Sequence, residues 1–122
     1  MSSEGEIPPQ VQQDLRLLEE KTRQYALISR QRQELERELL ETNNALAEIE
    51  KLPDNAEIYK AVGFLLIRVN KEDVKRELED KRDILELRVK RVRKQEERLM
   101  EDIEKLRERI RTQFRGAKGV GG

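Results

Sequence analysis

Apolar residues recur at helical spacing in two long segments of the chain, residues 10–52 and 71–115. In the later segment, one apolar line recurs every seven residues, at Leu85, Val92, Leu99 and Leu106. A second line follows four residues behind, at Val89, Glu96, Ile103 and Ile110, with Glu96 as its polar exception. Two such lines are the a and d positions of a heptad, so this segment is predicted to be a helix that pairs through a coiled-coil seam.

The earlier segment has a similar repeat with one irregularity. Its seam is predicted at Val11, Leu15, Leu18, Thr22, Tyr25, Ile28, Arg32, Leu35, Leu39, Thr42, Leu46 and Ile49. The step from Tyr25 to Ile28 is a spacing of three residues where the alternation of three and four requires four. This break predicts a stammer, which overwinds a coiled coil locally.

The segment between these helices has a different pattern. Residues 56–69 are rich in β-branched and aromatic side chains and have turn residues on both flanks. They predict two strands, Glu57–Val62 and Leu65–Val69, joined by a two-residue turn at Gly63 and Phe64. Glycine supplies the positive φ that such a turn requires.

Together these patterns predict a mainly α fold, a long antiparallel two-helix coiled coil joined by a β-hairpin. Asn70 is expected to cap the second helix. The chain is predicted to be one domain, residues 1–122, with a flexible N-terminus (1–9), a helix (10–52), the hairpin (56–69), a helix (71–115) and a flexible tail (116–122). Residues 1–62 carry a net charge of −5 and residues 63–122 a net charge of +5, which favours pairing of these two helices with each other.

Composition excludes several classes of function. The chain has 122 residues, of which 43% are charged and 35% hydrophobic, against about 25% and 45–50% in average proteins, so a compact core is not expected. It contains no Cys and no His, which excludes thiol nucleophiles, disulfides, soft metal ligands and a Ser-His-Asp triad. A helix pair offers its carboxylates no concave pocket. We therefore predict no metal site, no cofactor and no enzymatic activity.

The sequence also bears on location. No apolar run approaches the roughly 18 residues of a membrane span, so no membrane contact is expected. Residues Met1–Glu6 are acidic and lack the apolar core of a secretory signal. We expect a soluble cytoplasmic protein.

The hairpin is expected to need a partner. A two-stranded hairpin alone is marginal in water, and the consecutive apolar residues Leu65, Leu66 and Ile67 make both faces of one strand apolar. We predict that the hairpin completes a sheet or barrel with other chains. The residues assigned to this assembly are Ile58, Tyr59, Val62, Gly63, Phe64, Leu65, Leu66, Ile67 and Val69. The alternative is a hairpin that only caps its own helix ends.

These segments resemble a known family, the prefoldins. The resemblance is carried by Ala56–Lys60, Val62–Gly63, Leu65–Val69, Leu85–Lys90 and Lys94–Leu99, within residues 8–118. The single hairpin is similar to that of β-type subunits, because α-type subunits have two, and the glycine-rich tail resembles archaeal members. Phe64 departs from the pattern, since a polar or small residue is commoner at that turn.

The resemblance implies a function. Prefoldin is a hexamer of two α and four β subunits, whose hairpins form β-barrels and whose coiled-coil tips hold unfolded proteins. It uses no nucleotide and delivers its clients to a group II chaperonin. The expected partners are therefore α-type subunits, unfolded client proteins and that chaperonin, with no nucleic acid.

Client binding is assigned to the tips, where the two ends of the chain meet. Frayed helix ends expose seam residues there. The candidate residues are Ile7, Val11, Leu15, Leu18, Leu106, Ile110 and Phe114. The alternative is that these residues are ordinary coiled-coil seam.

Two further interpretations stay open. The basic run Arg88–Lys94 is consistent with phosphate binding, but its even charge balance with the acidic first helix favours salt bridges between the helices. The main rival function is a structural coiled-coil spacer or oligomerisation module. A plain spacer has no need of two apolar strands between its helices.

Overall fold

A computed structural model describes residues 7–121 of the chain, with side chains for residues 7–116. The elements are the helix α1 (Pro9–Glu50), the strands β1 (Ile58–Val62) and β2 (Leu65–Val69), and the helix α2 (Lys71–Gly121). The predicted fold of two long helices joined by a β-hairpin is confirmed. Residues 1–6 of the expected flexible N-terminus lie outside the described residues.

The helix ends differ from the sequence prediction by a few residues. α1 ends at Glu50, where Leu52 donates to the carbonyl of Ile49 over 3.1 Å in a tighter turn before Pro53. α2 continues to Gly121, whereas the sequence predicts its end at 115. Glycine lowers helix stability by about 1 kcal/mol per residue, but it does not forbid the helical conformation.

The chain divides into two compact units, and each contains a segment of both helices. The terminal unit comprises Met1–Gln31 and Val92–Gly122, and the hairpin unit comprises Arg32–Arg91. In the terminal unit, Asp14 contacts Arg109 while Lys21 contacts Asp102. Partners later in α1 are thus earlier in α2, so the helix segments run antiparallel.

The hairpin unit shows the same antiparallel order. Lys75 pairs with Glu50 over 2.7 Å, and Lys71, four residues earlier, donates to the carbonyl of Leu52 over 2.8 Å. The reversal of direction comes from the hairpin between these residues.

The seam of α2 follows the heptads of the sequence. Seven positions are buried: Leu85, Val89, Val92, Glu96, Ile103, Leu106 and Ile110. Leu99 is half-buried. The two heptad lines are confirmed, including the polar exception at Glu96.

The seam of α1 differs from the prediction in its first heptads. The buried or half-buried positions there are Val11, Asp14, Leu18, Lys21, Tyr25 and Ile28, with Leu15 and Thr22 exposed. These positions alternate in steps of three and four without a break, so the predicted stammer is wrong. The apolar pattern missed the correct register because two seam positions are occupied by charged residues, Asp14 and Lys21.

The hairpin has the predicted turn and second strand, and β1 begins at Ile58, one residue later than predicted. β1 pairs antiparallel with β2 from Ile58 opposite Val69 to Val62 opposite Leu65. Gly63 has a φ of 58°, whereas Phe64 has a negative φ, which matches a type II′ turn with glycine at its first central position. Only that first position requires glycine.

The start of α2 is capped as predicted. The side-chain oxygen of Asn70 accepts a hydrogen bond of 2.8 Å from the backbone N–H of Asp73. Glu72 and Asp73 place acidic side chains in the first turn, where the helix dipole stabilises negative charge. No helix in the described part of the chain is long and apolar enough to cross a membrane.

Candidate functional site

A buried ion pair joins the two helices in the terminal unit. Asp14, in the second turn of α1, is only 2% exposed. Arg109 donates to it twice, from Nε to Oδ2 over 3.0 Å and from Nη2 to Oδ1 over 2.7 Å. Gln10 donates a third hydrogen bond of 3.2 Å from its amide. A buried carboxylate is costly unless a cation and hydrogen bonds compensate its charge. The two parallel hydrogen bonds from one guanidinium also fix the orientation of Arg109 relative to Asp14.

Two more polar contacts cross the same seam. Lys21 Nζ lies 3.6 Å from Oδ2 of Asp102, and Ser29 Oγ donates to Oε2 of Glu96 over 2.7 Å. With the pair at Asp14, the terminal unit has a polar contact between its helices about once per heptad. Because each polar group must meet its own partner, these contacts select a single antiparallel register.

The predicted client-binding residues divide into two groups. Val11, Leu106 and Ile110 are buried in the seam, and Leu18 is half-buried. Three others remain exposed: Ile7 at 38%, Leu15 at 37% and Phe114 at 43%. Among the seven candidates, these three leave more than a third of their surface in contact with water. Leu15 is exposed because Asp14 takes the seam position beside it.

The terminal unit has further exposed apolar residues that the seam pattern missed. Leu17 and Leu27 are exposed. Leu27 lies at a groove of about 340 Å³ between the helices, lined by Gln24, Leu27, Ile28, Gln95, Arg98 and Leu99. In the sequence, Leu27 is a large apolar residue outside the predicted seam, and this was the one sign of apolar surface here.

The hairpin unit exposes most of the residues assigned to assembly. The exposed ones are Tyr59, Val62, Phe64, Leu65, Leu66 and Ile67, with Gly63 at the turn. Ile58 and Val69, which are paired at the base of the hairpin, are half-buried. Leu65 and Ile67 lie on one face of β2 and Leu66 on the other, so apolar surface is exposed on both faces.

A groove lies between the base of the hairpin and the helices of the same unit. It has a volume of about 510 Å³. Its apolar lining includes Ala45, Ile49, Leu52, Ile58, Val69 and Leu78. Lys60 pairs with Glu77 at its rim.

The ion pair between Glu50 and the half-buried Lys75, near this groove, shifts two pKa values. Lys75 donates a hydrogen bond to Glu50, and this bond and the lysine charge lower the pKa of Glu50. The same hydrogen bond and the carboxylate charge raise the pKa of Lys75. Each partner thus favours the charged form of the other.

Three exposed side chains of the basic run differ from the expectation that the run pairs with the first helix. Within residues 7–116, the exposed side chains of Arg88, Lys90 and Arg91 make no ion pair with α1. These positions lie outside the seam, where long side chains in water gain little from pairing. In the same part of the chain, no group of three or more acidic residues is arranged to hold a metal ion.

Comparison with known proteins agrees with this architecture. A family model described as "Prefoldin subunit" matches residues 10–117. The chain is 41% identical to the prefoldin subunit beta of Pyrococcus furiosus over 109 residues, which cover 89% of this chain and 93% of the relative. It is also 41% identical to that of Archaeoglobus fulgidus over 97 residues, which cover 80% and 84% of the two chains.

Solved structures show the same similarity. The crystal structure of the prefoldin beta subunit from Thermococcus strain KS-1 superposes with a TM-score of 0.83 at 40% identity, covering 87% of this chain and 93% of that one. The beta2 subunit from the same strain superposes with a TM-score of 0.65 at 26% identity, covering 72% and 94%. The family match over residues 10–117 spans the hairpin and most of both helices.

Proposed function

The chain belongs to the prefoldin family, as a subunit of the β type, and we propose that it captures unfolded proteins without ATP and delivers them to a group II chaperonin. Its family makes it a chaperone subunit that assembles with other prefoldin subunits. The proposed partners are two α-type subunits in a hexamer with four copies of this chain, together with unfolded clients and the chaperonin. The proposed location is the cytoplasm.

The exposed hairpin supports assembly as the first step of this function. In the described part of the chain, β1 and β2 pair only with each other, so each strand has an open edge. Apolar side chains are exposed on both faces of the hairpin. In the proposed hexamer, neighbouring hairpins pair at these edges and form a β-barrel. This barrel covers side chains such as Leu66, which is 72% exposed in the single chain.

The exposed residues of the terminal unit support client binding. We assign the first contact with a client to Ile7, Leu15 and Phe114. The other four candidates, Val11, Leu18, Leu106 and Ile110, contact a client only where the seam opens. One observation carries the proposal. Ile7, Leu15 and Phe114 stay exposed, although other residues of the same unit already bury the seam between the helices.

The expected strength of each contact suits capture and release. A contact that buries roughly 100 Å² of apolar surface contributes about 2.5 kcal/mol. One such contact is weak, so a client leaves it readily. Several subunits that hold one client raise the effective concentration of further contacts, and the client stays bound as a whole.

Light scattering tests this function when a chemically unfolded protein is diluted into buffer without ATP. The chain is assembled with an α-type subunit, either unaltered or carrying Ile7→Ser, Leu15→Ser and Phe114→Ser together. The control is Leu40→Ser, because Leu40 is also an exposed leucine of α1, at 61%, but lies outside the proposed site. We expect the unaltered and control assemblies to suppress aggregation and the triple variant to lose most suppression.

Two outcomes count against the proposal. If the unaltered assembly does not suppress aggregation, the holdase function is wrong and a structural spacer is the better interpretation. If the triple variant suppresses as well as the control, clients bind elsewhere on the chain. Transfer is tested by adding a group II chaperonin with ATP, which is expected to refold the held client.

A further inference from the structure

We propose that Phe64 of one copy of this chain inserts into the hairpin-unit groove of a second copy. The groove is the one of about 510 Å³ between the base of the hairpin and the helices. This contact rests on the proposed hexamer, which contains several copies of the chain. In addition to the pairing of hairpin edges, one side chain, Phe64, then fills a defined groove on a neighbouring copy.

Phe64 is placed as a knob. Its relative exposure is 108%, so no described part of the chain covers its ring. The type II′ turn requires glycine at Gly63 but has no requirement for an aromatic residue after it. Large aromatic side chains are rarely left wholly in water, since burying them is a main source of interface energy. The local fold therefore gives no reason for an aromatic residue at position 64. Burial against a partner chain would give one.

The groove is suited to an aromatic side chain. Its volume of about 510 Å³ lies within the range of ligand pockets, roughly 300–1,000 Å³. Its lining is mostly aliphatic, including Ile49, Leu52 and Leu78. The chain's own Phe64 leaves it open, because that side chain is fully exposed.

Charge favours the approach of a hairpin to this groove. Residues 58–69, the hairpin, contain two basic residues, Lys60 and Arg68, and no acidic residue. Among the residues of the segments 45–52 and 74–78 that line the groove, Glu48 and Glu77 are acidic and none is basic. A basic hairpin is thus attracted to the acidic walls of another copy.

The knob and the groove lie on different surfaces of one chain, so the contact between copies is heterologous, the kind that builds rings when it closes. A second copy is the occupant that we propose, because it carries both the aromatic residue and the matching charge. An α-type subunit in the groove is the competing arrangement, and the experiments below separate the two.

Tryptophan fluorescence tests the contact, because the chain has no native tryptophan. Phe64→Trp is assembled with an α-type subunit, and its emission is compared with that of the unfolded chain. We expect a shift to shorter wavelength on assembly. Adding Ala45→Arg, which fills the groove, is expected to reverse the shift. Ala47→Arg is the matched control, since Ala47 is exposed two residues away and does not line the groove.

Each fluorescence result decides the proposal. No shift in the assembled Phe64→Trp protein overturns it, as does a shift that survives Ala45→Arg. Circular dichroism and light-scattering mass are measured on each variant, so that misfolding is not mistaken for a blocked groove. An intact hexamer with an exposed tryptophan refutes this contact alone, whereas failure of the unaltered chains to form a hexamer refutes the proposed assembly.

Photo-crosslinking identifies the occupant directly and needs no groove variant. Phe64 is replaced by p-benzoylphenylalanine in one batch of chain, which is mixed with ¹⁵N-labelled unaltered chain and assembled with the α-type subunit. We expect cross-links from position 64 to labelled peptides that contain residues 45–52 or 74–78. Cross-links only to the α-type subunit, or only to other parts of the labelled chain, overturn the proposal.

Discussion

The guanidinium of Arg109 donates two hydrogen bonds to the carboxylate of Asp14, across 95 residues of sequence. The two partners are unequally buried, since Asp14 is 2% exposed and the side chain of Arg109 is 53% exposed. Removing Arg109 is therefore expected to cost more stability than removing the charge of Asp14. A buried carboxylate without its cation is costly, whereas an exposed arginine without its carboxylate returns to water.

Arg109→Ala is accordingly predicted to destabilise the chain by about 3 kcal/mol or more, the range for a broken buried pair. Asp14→Asn is predicted to cost less, about 1–2 kcal/mol, because an amide oxygen still accepts from Arg109. Thermal unfolding followed by circular dichroism at a fixed chain concentration measures both. Arg107→Ala is the control, since the side chain of Arg107 is also 53% exposed but pairs with the exposed Glu104. Equal losses of stability for Arg109→Ala and Arg107→Ala would show that the buried pair stabilises the chain no more than the exposed pair does.

Truncating a buried seam residue is predicted to separate stability from client binding. Ile110→Ala removes a side chain buried in the seam and is expected to cost about 2–5 kcal/mol, with Ile110→Val near 1 kcal/mol. Below the melting temperature, its assembly is expected to suppress aggregation about as well as the unaltered one. A variant that folds fully yet fails to suppress aggregation would place Ile110 in the client contact itself.

Gly63 and Gly116 are predicted to respond in opposite directions to alanine. Gly63→Ala puts a Cβ on a residue with a φ of 58°, which costs about 1–2 kcal/mol although the space around it is open. Gly116→Ala is expected to stabilise by up to about 1 kcal/mol, because this residue is helical and nothing lies within 4 Å of the added Cβ. Melting temperatures of the two variants are compared with that of the unaltered chain. A loss of stability in both would mean that helix propensity does not govern position 116.

The ion pair between Glu50 and Lys75 is predicted to make stability depend on pH at both extremes. The pKa of Glu50 is lowered below its ordinary 4.5, so its contribution is present above that pH and is lost as the pH falls through the folded value. The pKa of Lys75 is raised above 10.5, so its contribution is present below that pH and is lost as the pH rises through the folded value. Carboxyl ¹³C NMR is expected to show the pKa of Glu50 rising toward 4.5 in Lys75→Met. An unchanged value would mean that the pair is not formed in solution.

The amino-acid sequence by itself determined the elements of this fold. Heptad spacing in α2 predicted its seam, because residues three and four positions apart lie on one face of a helix. This holds for any partner that packs against that face. The turn at Gly63 and the cap at Asn70 were predicted for a similar reason, since each depends on the backbone preferences of a few adjacent residues. The family resemblance also needed only these local stretches.

Only the tertiary structure decided which side chains of those elements are exposed. The first heptads of α1 take a register in which Asp14 is buried and Leu15 is not, because Arg109, far along the chain, supplies the partner that a buried carboxylate needs. An apolar pattern read along one helix does not contain that partner. The groove beside the hairpin arises in the same way, from residues of three separate segments that meet only on folding. Burial is a property of the packed surroundings, so it is settled by contacts between segments that are distant in the sequence.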